Sequence, residues 1–327
     1  MERSDPNCPT RMKRNTIVTI GDRNYLWGLF LLIASARKTG MEEPFLVGTQ
    51  GFTPHDAHIL EQLGNVSLVS LDHEKRSLTC GKPQVMLQAQ TPFVTWADCD
   101  AFFTGNVSAL LPPANPDEIH FRLRSREEML QTAFVNPDPQ ADCLIPPQML
   151  EAWRSDLAEI TGGKVLNSPR HATTGSACFC ALSLATHRRF LETWEQLATK
   201  VLPMRNNGVV DRTLKFYPQL DESTLNACLN FLPDAPEVQG EYQLNRDRAR
   251  LFIHFIAQPK PWQGWTRRAF RFFDEYVAVV EWACDQGFDL PTPFPYCLRR
   301  SNKTFLRMLL PWMTLKPKLA KRLTWLR

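Results

Sequence analysis

The sequence predicts an α/β fold: a Rossmann-like, mostly parallel sheet flanked by helices, in a single large domain with a basic amphipathic C-terminal tail. Three observations carry it. Over the first hundred residues, short β-branched runs alternate with stretches of helical periodicity, at the pitch of strand–helix–strand units. Two acidic residues, Asp22 and Asp98, stand at the exits of such runs, where ligands bind in open α/β sheets. The 327 residues are 43% hydrophobic and 22% charged, enough apolar material for a sizeable core.

Thr16-Ile17-Val18-Thr19-Ile20 is the first strand, stopped by Gly21-Asp22. Between Tyr25 and Lys38, Leu26, Leu29, Phe30 and Ile33 recur at helical spacing, and Gly40 ends the helix. Phe45-Leu46-Val47 is the second strand, and Thr53-Pro54 opens a helix carrying Ala57, Leu60 and Leu63 that Gly64 closes. Val66-Ser67-Leu68-Val69 is the third strand. A helical stretch from Lys82 to Gln90 then leads into Phe93-Val94-Thr95-Trp96, the strand before Asp98. Residues 101–170 are proline-rich, with Pro112-Pro113, Pro116, Pro137, Pro139 and Pro146-Pro147, and read as loops and short helices over the sheet. The run from Ala177 to Leu182 is a further buried strand, followed by a helix with Phe190, Trp194 and Leu197.

No apolar run is long enough to span a bilayer, and Met1-Glu2-Arg3-Ser4-Asp5-Pro6 lacks the pattern of a secretion signal. Nine scattered cysteines, with Cys178 and Cys180 too close for a Cys-x-x-Cys hook, fit reduced thiols in a cytoplasmic protein. The net charge of +4 is unevenly placed: residues 296–327 hold nine basic residues and no acidic one, leaving 29 basic against 34 acidic residues elsewhere. Within that tail, Leu319, Leu323 and Leu326 line one helical face among Lys318, Lys321, Arg322 and Trp325. The pattern fits peripheral docking on an anionic membrane surface, at the inner membrane face, packing on the acidic body, or a merely solvated tail. No recognition motif for nucleic acid accompanies the charge, so nucleic acid is not an expected partner.

Asp98-Cys99-Asp100 is the motif with the most chemistry. Two carboxylates one residue apart at the exit of a strand are expected to point the same way, because strand side chains alternate. Their oxygens suit a hard cation, Mn²⁺ or Mg²⁺, with positions left for a diphosphate. Alone, the pattern also describes a solvated acidic turn. The same ambiguity holds for His254 between Phe252 and Phe255, which suits a core histidine, and for Asp22, which suits a helix cap. Lys82 could be a solvated lysine, and Lys260-Pro261-Trp262 a surface turn.

Read in order, Gly21-Asp22-Arg23-Asn24-Tyr25, Lys82, Asp98-Cys99-Asp100, the segment from Asp221-Glu222 to Leu225-Asn226, and the segment from His254 to Lys260-Pro261-Trp262 form a set. The set resembles the retaining GT-A glycosyltransferases of the glycogenin and lipopolysaccharide galactosyltransferase type, often called family 8, and spans residues 16–265. The resemblance implies a GT-A catalytic domain over 1–290, with a nucleotide-binding half at 15–110 and an acceptor and sugar half at 111–290, followed by a tail at 291–327. It implies that Asp22, Asn24 and Tyr25 hold the uridine and that Lys82 reaches the donor. Asp98, Asp100 and His254 become metal ligands, with Ala257 and Lys260 at the diphosphate and Asp221 and Glu222 facing the sugar.

The activity so implied is metal-dependent, retaining transfer of a hexose from a UDP-sugar to a glycan or glycolipid acceptor, with Glu222, Asp221 and Lys260 as catalytic residues. Retention proceeds either by front-face attack through an ion pair or by a covalent glycosyl-enzyme. Three departures stand out. Glu222 replaces the family's Gln and is a far better nucleophile than an amide. Ala257 replaces Gly in the histidine motif, and Thr173-Thr174-Gly175 replaces Asn-Ala-Gly. A nucleotidyltransferase would share sheet and metal, but Gly21-Asp22-Arg23 is not its Gly-rich phosphate loop. The alternative from another class is a catalytically weak sugar-nucleotide-binding or membrane-binding protein on the same scaffold.

Overall fold

The computed structural model describes residues 14–71, 78–202, 213–239 and 250–311. Its strands are β1 (Asn15–Asp22), β2 (Phe45–Gln50), β3 (Val66–Ser70), β4 (Phe93–Ala97), β5 (Ala101–Phe103), β6 (Glu118–Leu123), β7 (Gly175–Ser183), β8 (Glu237–Gln239) and β9 (Phe252–His254). The helices are α1 (Leu26–Lys38), α2 (Pro54–Glu61), α3 (Gly81–Met86), α4 (Arg126–Leu130), α5 (Pro147–Thr161), α6 (Leu184–Val201), α7 (Asp221–Phe231) and α8 (Phe273–Asp285). Seven strands form one sheet in the order β3-β2-β1-β4-β7-β6-β8, and β5 pairs with β9 in a separate ribbon. Six strands of the sheet run one way; β7 alone is antiparallel to its neighbours β4 and β6. The expected α/β, mostly parallel sheet is therefore present.

Alternation along the strands sorts side chains into two cores. Ile17, Phe45, Val47, Ala97, Phe179 and Ala181 face one side, packed with α1, α2, α8 and the β5–β9 ribbon. Val18, Ile20, Trp96, Phe121, Cys180 and Leu182 face the other, packed with α5, α6 and α7. From Leu26 to Ala36, α1 is buried throughout. A helix apolar on all sides suits this position, because sheet, ribbon and α8 enclose it.

The proline-rich middle is more regular than its composition indicates. It holds β6, whose Ile119 and Phe121 are buried on one face, and the fifteen-residue α5. Pro147 opens α5 rather than breaking it, since a first-turn proline lacks only an N–H that has no helical partner. Met149, Trp153 and Leu157 recur every four residues on its buried face, and Gly162 ends it in the left-handed region. The basic C-terminal segment begins as part of the body. Leu306 and Leu310, on a helix over 303–311, join the core beside α8. Arg300 pairs with Glu281 and Lys303 with Asp274, at 2.6 and 2.5 Å. The amphipathic face around Leu319–Leu326 lies outside the described residues. Among the described residues all cysteines are free, and no helix is long and apolar enough to cross a membrane.

Candidate functional site

The site forms where β4 ends. The Asp98 N–H donates to the Cys178 carbonyl of β7 at 2.9 Å, the last contact before the chain leaves the sheet. Asp98-Cys99-Asp100 then turns into β5, and β9 returns antiparallel with His254 opposite Ala101. Thus the two carboxylates converge through this turn and not through strand alternation, which stops at Ala97.

Each carboxylate uses one oxygen inward and presents the other. Asp98 Oδ1 accepts from Lys82 Nζ at 2.9 Å and from Trp96 Nε1 at 2.8 Å. Asp100 Oδ2 accepts from Lys260 Nζ at 2.5 Å. The remaining oxygens, Asp98 Oδ2 and Asp100 Oδ1, lie 3.5 and 3.1 Å from His254 Nε2. Asp98, Asp100 and His254 each offer one ligand atom within 4.8 Å of the others. A donor set of two carboxylate oxygens and one imidazole fits a divalent cation of the Mn²⁺ or Mg²⁺ type. The inward bonds fix the orientation of both carboxylates as outer-shell partners do at metal sites.

The electrostatics follow from this packing. Burial disfavours the charged form of His254, yet Cys178 and Asp100 together hold its pKa well above the ordinary value. Against burial, the hydrogen bond and charge of His254, with Lys260, keep Asp100 well below the usual carboxylate range. Lys82 sits between two acids, with Asp221 Oδ2 at 2.6 Å and Asp98 at 2.9 Å, and both raise its pKa despite burial. Burial lifts Asp221 to about 6 in spite of Lys82, because Asp98 shares the same ammonium.

The other sequence-designated residues fall around this cluster. Asp22 caps the turn into α1, accepting from the backbone N–H groups of Asn24 and Tyr25 at 2.9 and 3.2 Å, and its second oxygen accepts from Asn24 Nδ2. Tyr25 packs edge-on against Trp262 with ring centroids 5.8 Å apart. Burial, with Cys99 and Asp100 nearby, pushes its phenol up to about 12. Gly28 lets these pieces meet: a Cβ there would lie 2.6 Å from both the Cys99 carbonyl and the Trp262 ring. Lys82 and Lys260 are 6% and 1% exposed and point at Asp98 and Asp100 instead of into open space. Ala257 is exposed on the loop after β9.

Asp221 and Glu222 open α7. Leu220 before them has φ +52° and ψ −121° and is fully buried, a backbone state that costs an L-residue about 1–3 kcal/mol. Asn226, one turn on, locks α7 to β7: its Oδ1 accepts from the Gly175 N–H at 2.7 Å and its Nδ2 donates to the Gly175 carbonyl at 3.0 Å. Glu222 is held from three sides, by Arg124 at 2.6 Å, Gln219 Nε2 at 2.5 Å and the Ala177 N–H at 3.2 Å. Arg124, Gln219 and Trp96 were not marked by the motifs. The signal for Trp96 is its place two residues before Asp98 at the end of the strand; Arg124 carries no local signal. Gly28, a lone glycine inside a helical pattern, is the kind of position where close approach can be read in advance.

No protein-family model and no curated protein matches the sequence. The fold does match solved structures. The bifunctional glycosyltransferase WbbM superposes with a TM-score of 0.54 at 15% identity, over 83% of this chain and 50% of that one. The chain thus spans half the length of that bifunctional protein. The galactosyltransferase LgtC, in complex with donor and acceptor sugar analogues, gives 0.53 at 13% identity over 85% and 98% of the two chains. An active-site variant of LgtC in which Gln is replaced by Glu gives 0.50 at 14% identity, over 81% and 95%. The chain has the fold of the family 8-type GT-A glycosyltransferases.

Proposed function

We propose that the chain is a metal-dependent, retaining hexosyltransferase that uses a UDP-sugar donor and a glycan or glycolipid acceptor. The observation that carries this reading is the convergence of Asp98, Asp100 and His254 at the carboxyl edge of a GT-A sheet, beside the Asp22–Tyr25 turn. A divalent cation bound there supplies positive charge to the leaving diphosphate. Without the cation, Lys82, Lys260 and the charged His254 offset Asp98, Asp100 and Asp221; a divalent cation that replaces the His254 proton would leave the cluster one unit more positive, which favours a nucleoside diphosphate. Asp22, Asn24 and Tyr25 are proposed to hold the uridine and Ala257 the diphosphate, while Asp221 and Glu222 face the sugar. Lys260 acts through Asp100, which it orients.

The pairing of Glu222 with Arg124 bears on the chemical step. A carboxylate whose oxygens already accept from a guanidinium, an amide and a backbone N–H has its lone pairs engaged and is a weaker nucleophile than a free one. It suits electrostatic support of a developing oxocarbenium ion better than covalent attack. Membrane docking through basic residues 296–327 is proposed to bring the enzyme to a surface-bound acceptor.

The deciding experiment is Mn²⁺-dependent hydrolysis across a panel of UDP-sugars. At least one donor should turn over, and His254→Ala and Glu222→Gln should each lose on the order of 100-fold in rate. Binding without turnover for every donor would instead identify a sugar-nucleotide-binding protein on this scaffold.

A further inference from the structure

Beside the cluster lies a cleft of ≈ 520 Å³ whose lining the donor-binding residues do not explain. It reaches the cluster through His254 and Ala257, and is otherwise lined by β7 residues such as Ser176 and Cys178, by β9, and by residues between Thr266 and Phe272. Asp22, Asn24 and Tyr25 are not part of it, so its shape is not that of the nucleotide site.

Four arginines line the cleft: Arg122, Arg250, Arg268 and Arg271. Arg122 is paired with Glu128. The other three are exposed and make no ion pair among the described residues. Arg250 and Arg271 lie over the Phe272 ring, with guanidinium carbons 5.8 and 4.8 Å from its centroid. A guanidinium held beside a ring by its charge spends no N–H donor on a carboxylate and keeps its donors for a planar or tetrahedral anion. The crowding is unfavourable in itself: after burial, Arg250 and Arg268 are what depress the Arg271 pKa. Arg23 and Arg300 have carboxylate partners, whereas other exposed arginines such as Arg126 and Arg299 do not, so what sets these three apart is their convergence on one cleft. A cleft lined by one sign of charge concentrates the opposite sign in its ligand.

We propose that this cleft receives the acceptor, and that the acceptor is a sugar bearing an anionic group, phosphate or carboxylate, held by Arg250, Arg268 and Arg271. The inference rests on the transfer reading, since only that reading requires a second sugar beside His254. It narrows the acceptor class from glycans at large to acidic ones.

The test is isothermal titration of the metal-free, full-length protein with glucose, glucose 6-phosphate, glucuronate and inorganic phosphate. One of the two anionic sugars should bind at least about 10-fold more tightly than glucose, and more weakly as salt is raised. Which of them binds separates phosphate from carboxylate as the recognised group. An Arg250→Gln/Arg271→Gln variant, both positions being exposed, should weaken that binding by at least about 10-fold, and Arg268→Gln alone by less. Equal affinity for inorganic phosphate and glucose 6-phosphate overturns the acceptor assignment, as does equally weak binding of all four probes. Unchanged binding in the double variant overturns the location. Donor hydrolysis by the unmodified protein without anionic-sugar binding refutes this inference alone. Anionic-sugar binding with no donor hydrolysed refutes the transfer reading and, with it, the acceptor role.

Discussion

At the scale of single residues, the site is organised by how each carboxylate divides its two oxygens. Asp98 and Asp100 each give one oxygen to a buried lysine and turn the other toward His254. His254, with its raised pKa, and Asp100, with its depressed one, form a charged pair in the metal-free protein. The sign of the pH effect follows. The raised His254 value contributes stability that is complete below the ordinary histidine pKa and is lost as pH rises through the folded value. The depressed Asp100 value contributes stability that is present above the ordinary carboxyl pKa and is lost only at strongly acid pH. A cation needs the neutral imidazole, so its binding releases the His254 proton. Mn²⁺ affinity should therefore rise with pH by up to about 10-fold per unit until His254 deprotonates in the free protein. Calorimetric titration in buffers of different ionisation enthalpy, from about pH 6 to 9, measures both affinity and proton release. An affinity independent of pH would remove His254 from the ligand set.

At the scale of elements, α7 shows what a motif does physically. The pattern from Asp221-Glu222 to Asn226 is legible as a functional segment, but the sequence alone does not divide the labour. Asn226 is 1% exposed and clamps the helix to Gly175, while Leu220 holds the strained entry that aims Asp221 and Glu222 at the site. Asn226→Ala should leave the Gly175 N–H unpaired in a buried place, while the Gly175 carbonyl keeps its bond from Arg124, and lower unfolding free energy by about 1–3 kcal/mol in urea titrations. A loss within a few tenths of a kcal/mol would mean that α7 is held chiefly by its apolar face. The strands β1 to β4 and helices α1 and α2 were legible because alternation and end signals agree there. β6 and α5 were not, because their prolines lie at the starts and flanks of elements, where composition alone cannot distinguish a start from a break. The Arg124–Glu222 pair joins residues 98 positions apart and depends wholly on the sheet order. Nothing local encodes it.

At the scale of the whole molecule, the described part of the basic C-terminal segment, residues 296–311, belongs to the body. Removal of residues 312–327 keeps Leu306 and Leu310 and, on the docking proposal, should abolish co-sedimentation with anionic liposomes. Removal from residue 299 onward also deletes both leucines and should destabilise the fold by at least about 2–5 kcal/mol, the usual effect of losing one such buried side chain. Undiminished liposome binding after the shorter truncation would end the docking proposal. The two cores on opposite faces of the sheet have a consequence for how such a protein can change. His254 and Lys260 are carried by structure packed on the α1–α8 face, and Asp221 and Glu222 by α7 on the other. The sheet is a stiff partition between two halves of one active centre. Repacking the α5–α7 layer can shift Glu222 while Asp98, Asp100 and His254 stay in register, but Asp221 is tied to them through Lys82, so of the two carboxylates Glu222 is the one free to drift separately.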